Sequence, residues 1–292
     1  MIRFSLLGLL MLLSGLSQAA VNIAATVPNM GMLAREIGGE HVQVTVMAPP
    51  GRDPHYLEAR PSMMAALRRA DMVVSVGAEL ETGWLPAAIQ GAGNRELVPG
   101  KKGYFEGAAH IKRLNEGQQA DRSRGDVHPR GNPHFYLDPQ RMATVGQALA
   151  EHLARLDPDN RDDYLSRATA FRQAVEEQLP QWRSQAAGAP GALLYHGEPD
   201  YLMALLDVPV VGYIEPKPGI PPTARHLSTL VGELEGRQGV VLYTDFQPGK
   251  GPDFIHRKLG WPTHQLPIQV ATEADRDAYF AMIRQWVEAV QP

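Results

Sequence analysis

The chain of 292 residues contains no cysteine, which excludes disulfides, a thiolate metal site and lipid attachment through an N-terminal Cys. His, Asp and Glu are then the strong donors left for any bound metal. There is no basic excess either: 28 Lys and Arg against 32 Asp and Glu give a formal charge of −4. That balance offers no electrostatic handle for nucleic acid or an anionic membrane. Long apolar runs are missing too. The longest, residues 6–16, falls well short of the roughly 20 residues that cross a bilayer.

That short run follows Arg3 and precedes the small residues Ser17 and Ala19, the arrangement of a secretory signal peptide cleaved after Ala19. Residues 1–19 are therefore expected to be removed, leaving a soluble periplasmic protein that is not a lipoprotein and has no transmembrane segment. The remaining residues, 20–292, are long enough for two units of roughly 100–150 residues.

Short β-rich runs alternate with helical patterns at the start: strands over residues 21–27, 42–47 and 72–77, with a helix ending at Gly38-Gly39 and another over 62–70. This is the rhythm of an α/β fold with a parallel sheet. Residues 100–133 are rich in Gly, Arg, Asp and Asn and read as a long loop. A helical region follows, broken near Asp157-Pro158. Its second part, over residues 160–186, carries Tyr164, Ala168, Phe171, Val175 and Leu179 at three- and four-residue spacings, with Pro180 as a candidate kink. After residues 188–191 the βα rhythm resumes, with strands over 192–196, 208–215, 240–245 and 264–270. The expected division is a first lobe over 20–139, a helical region with a long linker helix over 140–188, and a second lobe over 189–292. A helix joining two lobes is stiffer than a pair of extended strands, so large hinge closure is not expected.

Three of the ten histidines stand where a strand or loop hands over to a helix: His55 in Asp53-Pro54-His55, His134 in Asn132-Pro133-His134, and His196 in Tyr195-His196-Gly197. Ligands of open α/β sheets sit beyond the carboxyl ends of the strands, and His55 and His196 come from different lobes, so an ion bound by both would lie in the cleft. A lone histidine in such a loop is more often solvated or capping, and the three are far apart in sequence. Their positions alone make a metal site a candidate.

The surrounding segments carry more. Residues 53–61, followed by 64–67, 70–77 and Glu79-Leu80-Glu81 before Trp84-Leu85, resemble the first-lobe signature of the zinc/manganese ABC-transporter solute-binding family, ZnuA/TroA-like or cluster A-I. Residues 131–139, 195–202 and 215–222 resemble later segments of that family in the same order. The resemblance implies two lobes bridged by a long rigid helix, one divalent cation in the cleft, no catalysis, and delivery by a monomer to the membrane permease of an ABC importer. Carried over residue by residue, it places imidazole ligands at His55, His134 and His196. A histidine at the third position resembles zinc receptors, and imidazole nitrogen suits zinc better than manganese.

For the fourth ligand the sequence departs from the family pattern, whose Asp follows the last strand. Asp245 is preferred, because it ends an apolar strand whose carboxyl end faces the cleft. Glu273, Asp275, His128 and a water remain alternatives. Within the family the competing reading is a manganese or iron receptor. Outside it stand an adhesin or metal store, and a zinc-dependent periplasmic hydrolase, for which no His-Glu-x-x-His or Ser-His-Asp arrangement is present.

Overall fold

The computed structural model describes residues 20–117, 129–216 and 219–292. The expected signal peptide and His128 lie outside the described residues. Two separate four-stranded sheets form the frame. The first holds β1 (Val21–Ala25), β2 (Val42–Val46), β3 (Met72–Ser75) and β4 (Tyr104–Glu106) in the order β2-β1-β3-β4. The second holds β5 (Ala192–Leu194), β6 (Val210–Tyr213), β7 (Val240–Thr244) and β8 (Thr263–Leu266) in the order β6-β5-β7-β8. Every pairing is parallel. The two lobes thus share one strand order although the sequence shows no repeat. In each, the order reverses beside the first strand, at β1/β3 and at β5/β7, and such a reversal opens a crevice beyond the carboxyl ends.

β3 and β5 are buried along their whole length, as expected for parallel strands covered by helices on both faces. The helices are α1 (Pro28–Gly38), α2 (Pro61–Arg69), α3 (Leu85–Ala92), α4 (Pro139–Leu156), α5 (Arg161–Ala186), α6 (Asp200–Leu205), α7 (Ala224–Leu234), α8 (Lys250–Leu259) and α9 (Arg276–Ala289). Proline opens α1, α2 and α4, where its missing N–H costs nothing and its fixed φ suits the first turn. Asp138 caps α4 by accepting a hydrogen bond from Arg141 N at 3.0 Å.

The 26-residue α5 spans about 39 Å at 1.5 Å per residue. It buries the expected stripe of Tyr164, Ala168, Phe171, Val175 and Leu179 and extends it through Trp182 and Ala186. The helix continues through Pro180. α5 packs on α4 and α1, and α9 returns onto it, with Phe280 stacked on Phe171 at 6.2 Å and edge-on to Trp182 at 5.5 Å between ring centroids.

Two departures from the sequence reading have local causes. The stretch read as loop over 100–133 contains β4 and the short helical turn Gly107–His110, and three strand residues are too few to show a period. β8 ends at Leu266 rather than at residue 270, just before Pro267, which has no N–H to continue the ladder.

The segment after β8 instead crosses to α1. Asn29 donates through Nδ2 to the Ile268 carbonyl at 2.9 Å and accepts from Val270 N through Oδ1 at 2.9 Å, while its own N–H donates to Gln269 Oε1 at 3.0 Å. These bonds are buried and tie the first lobe to the second. Removing the side chain would leave a buried carbonyl and a buried N–H without their partner. Asn29→Ala is therefore expected to lower the unfolding free energy by about 2 kcal/mol or more, measured by urea denaturation; a change below about 0.5 kcal/mol would show that this seam is not under load.

Candidate metal centre

His55 sits in the single helical turn Pro54–Tyr56, beyond β2. Asp53 accepts from both the backbone N–H of His55, at 2.9 Å, and its Nδ1, at 2.7 Å. Burial works against the charge on Asp53, but the His55 hydrogen bond and the charges of His55 and His196 outweigh it and hold the carboxyl below its ordinary range.

His134 precedes the turn Phe135–Leu137 and is almost fully buried, at 1 % exposure. Asn132 Oδ1 accepts from its backbone N–H at 2.8 Å, and Tyr136 Oη lies 2.8 Å from its Nδ1. The Asn132 amide also donates to the carbonyl of Gly197 at 2.7 Å, so one side chain fixes the His134 loop of the first lobe against the His196 loop of the second. Tyr201, from α6, reinforces the seam by donating to the Asn132 carbonyl at 2.7 Å.

His196 directly follows β5 and its flanking Tyr195, at the reversal point of the second sheet. Its Nδ1 faces Glu215 Oε2 at 3.0 Å, and the same oxygen accepts from Gly219 N at 3.0 Å. Burial disfavours a charged ring here. The Glu198 charge, the Glu215 hydrogen bond and the charges of Glu215 and Asp200 more than compensate and push the His196 pKa up to about 9.

The three predicted histidines are brought together. The ring centroids of His55 and His134 are 5.1 Å apart, and those of His134 and His196 are 6.1 Å apart. Three imidazoles on one tetrahedral zinc ion, with Zn–N of about 2.0–2.1 Å, place their centroids about 5 Å apart. One pair already has that spacing and the other is about 1 Å wider by this measure. Among the described residues no group of three or more His, Asp or Glu is arranged to hold a metal ion as the side chains stand; the three rings are neighbours without being closed around one position. Each Nδ1 faces an oxygen from Asp53, Tyr136 or Glu215. Engaging Nδ1 in this way orients the ring and presents Nε2 to an ion.

Beside these rings is a cavity of ≈ 300 Å³ lined by residues of both lobes, among them Asp53, His55, His196, Glu198, Glu215 and Gln247. A larger one of ≈ 570 Å³ opens beside α3 in the first lobe, between Glu79, Glu106 and Arg130, and has no histidine in its wall. The other histidines with side-chain partners are engaged elsewhere: His41 with Asp163, His152 with the Lys102 carbonyl, His226 with the Tyr213 carbonyl and His256 with the Trp261 carbonyl.

The predicted fourth donors are placed differently from the histidines. Asp245 follows β7 with its side chain exposed, at the cleft rim, where its Oδ2 would lie 3.6 Å from a Cβ on Gly51. It is absent from the cavity wall, which takes Phe246, Gln247 and Pro248 from the same turn. Thr244 and Gln247 are buried and Asp245 is not: Asp245 leaves the strand on the side opposite Thr244, and the turn that follows brings Gln247 back inward, where its Oε1 accepts from Thr244 N at 2.8 Å. Glu273 is 79 % exposed and pairs with Arg35 at 3.8 Å. Asp275 caps α9, accepting from Ala278 N at 2.9 Å.

Of the three carboxylates in the cavity wall, Asp53 and Glu215 are bonded to imidazole nitrogens, and the third is Glu198, 3 % exposed. Burial raises its pKa, with the charges of His196 and His55 acting in the opposite direction. The one signal for it in the sequence was its spacing in His196-Gly197-Glu198. Asp53 and Tyr136, the partners of two rings, each stand two residues from the histidine they engage, the only signal the sequence carries for them.

Two α/β lobes joined by a long helix, with a histidine-lined cleft between them, define a solute-binding protein. The chain belongs to the family of metal ABC-transporter solute-binding proteins described as zinc-uptake complex component A, periplasmic, whose profile matches residues 23–291. The high-affinity zinc uptake system protein ZnuA of Yersinia pestis is 23 % identical over 298 aligned residues, covering 94 % of this chain and 92 % of that one. The manganese ABC transporter substrate-binding lipoprotein scaA of Streptococcus gordonii is 22 % identical, covering 65 % and 69 %. A crystal structure of ZnuA shares the fold with a TM-score of 0.76 at 23 % identity, covering 93 % of this chain and all of that one.

Proposed function

We propose that this protein captures one Zn²⁺ in the cleft through His55, His134 and His196 and hands it to the membrane permease of an ABC importer. The observation that carries the reading is the convergence of three oriented imidazoles from both lobes on one cleft. Placement in the periplasm follows from the expected signal peptide and is supported by the family description. No helix among the described residues is long and apolar enough to cross a membrane.

Nitrogen donors favour zinc over manganese, which lies at the weak end of the divalent series and prefers oxygen. Manganese is the second reading, because several relatives are named for manganese. The two separate in a competition titration of metal-stripped protein. The expected result is one zinc per chain and displacement of manganese by zinc at least about 100-fold below the manganese concentration. Equal affinity for the two ions would reject zinc as the cargo.

A further inference from the structure

We propose that Glu198 supplies the fourth, anionic donor to the ion, a role that rests on the three-histidine reading above. Glu198 is buried at the mouth of α6, in the wall of the interlobe cavity shared with His55 and His196. Its two oxygens are treated unequally. Oε1 accepts from Gln247 Nε2 at 2.7 Å, and Gln247 is itself fixed by accepting from Thr244 N at 2.8 Å. Oε2 is buried with no hydrogen-bond partner among the described residues.

A buried carboxylate with one oxygen unmatched is costly, because the lost hydration is not replaced. A cation beside Oε2 would replace it. Glu198 also lies within charge range of both His55 and His196, which face the same cavity. The Gln247 amide then serves as a positioning group, holding one oxygen so that the other projects. Ligating carboxylates are commonly held by such an outer hydrogen bond. Adding one anionic oxygen to three neutral imidazoles completes four-coordination, the usual number for zinc. It also lowers the formal charge of the buried site by one unit, which three imidazoles and a water cannot do.

The alternatives among the described residues are already committed or misplaced. Asp275 caps α9, Glu273 is exposed beside Arg35, and Asp245 is exposed at the rim against Gly51. Asp53 and Glu215 are each engaged with an imidazole Nδ1.

The test is a zinc titration of the metal-stripped mature chain as wild type, Glu198→Gln, Glu198→Asp, Asp245→Ala and His196→Ala, together with infrared difference spectra between the zinc-loaded and metal-free forms. Glu198→Gln keeps the shape and can still bond Gln247. It is expected to bind one zinc about 100-fold more weakly, and to lose a carboxylate band that shifts on zinc binding in the wild type. Glu198→Asp, which withdraws the oxygen by one methylene, should also weaken binding, while Asp245→Ala should match the wild type in affinity and spectrum. Wild-type affinity and an unchanged carboxylate band in Glu198→Gln would overturn the proposal while leaving the histidine site intact. Wild-type affinity in His196→Ala would overturn the three-histidine reading itself, and the role of Glu198 with it.

Discussion

Replacing His134 with alanine is expected to weaken zinc binding by more than about 100-fold. Structural zinc sites are worth about 10–16 kcal/mol over four donors, so one donor accounts for roughly 3 kcal/mol, and each 1.4 kcal/mol is a factor of ten. His134 should be the most damaging of the three, because its ring is central. It lies between the other two, at 5.1 Å from His55 and 6.1 Å from His196. Its 1 % exposure leaves little room for water to take its place as a ligand. A buried ring can also matter for folding, so His134→Asn, which retains a polar group, and the less buried His55→Ala accompany it. All three should bind weakly while retaining wild-type circular dichroism. Wild-type affinity in all three would place the ion elsewhere.

Zinc affinity is expected to rise about 100-fold between pH 6 and pH 8. The sign follows from His196. Its pKa is raised to about 9, so the metal-free ring is charged throughout that window, and zinc accepts only the neutral form. Each unit below the pKa therefore costs a factor of ten for that one proton. The bound ion must displace the proton, and calorimetry at pH 7.5 in buffers of differing ionisation enthalpy should register about one proton released from this ring per zinc. Residues facing His196 set this behaviour: Glu198, Glu215 and Asp200 favour the charged ring, against the effect of burial. Glu215→Gln should lower the pKa and flatten the profile. An affinity constant from pH 6 to 8 in the wild type would contradict an imidazole-dominated site.

Much of the architecture was legible in the sequence because it is periodic. The stripe from Tyr164 to Leu179 specifies one face of α5, and the short apolar runs around residues 21–27, 42–47 and 72–77 specify buried parallel strands. β4 was not legible, since three residues cannot display a period. The common strand order of the two lobes was also hidden, because topology is set by which edges the crossovers reach and leaves no residue signature.

The site divides along similar lines. His55, His134 and His196 could be singled out as candidates because each stands where a strand or loop hands over to a helix. Glu198, the fourth donor proposed above, could not, because its burial beside Gln247 depends on how the chain turns after β7. That turn exposes Asp245 and buries Gln247. Gln247 in turn reaches Glu198, a contact between residues far apart in sequence that only the folded chain reveals.

The most direct test of the central claim is the zinc K-edge X-ray absorption of the loaded protein. Four donors are expected, three of them imidazole nitrogens at about 2.0–2.1 Å with outer-ring scattering, and one oxygen. A spectrum fitted by oxygen alone, without the imidazole ring signature, would contradict the account.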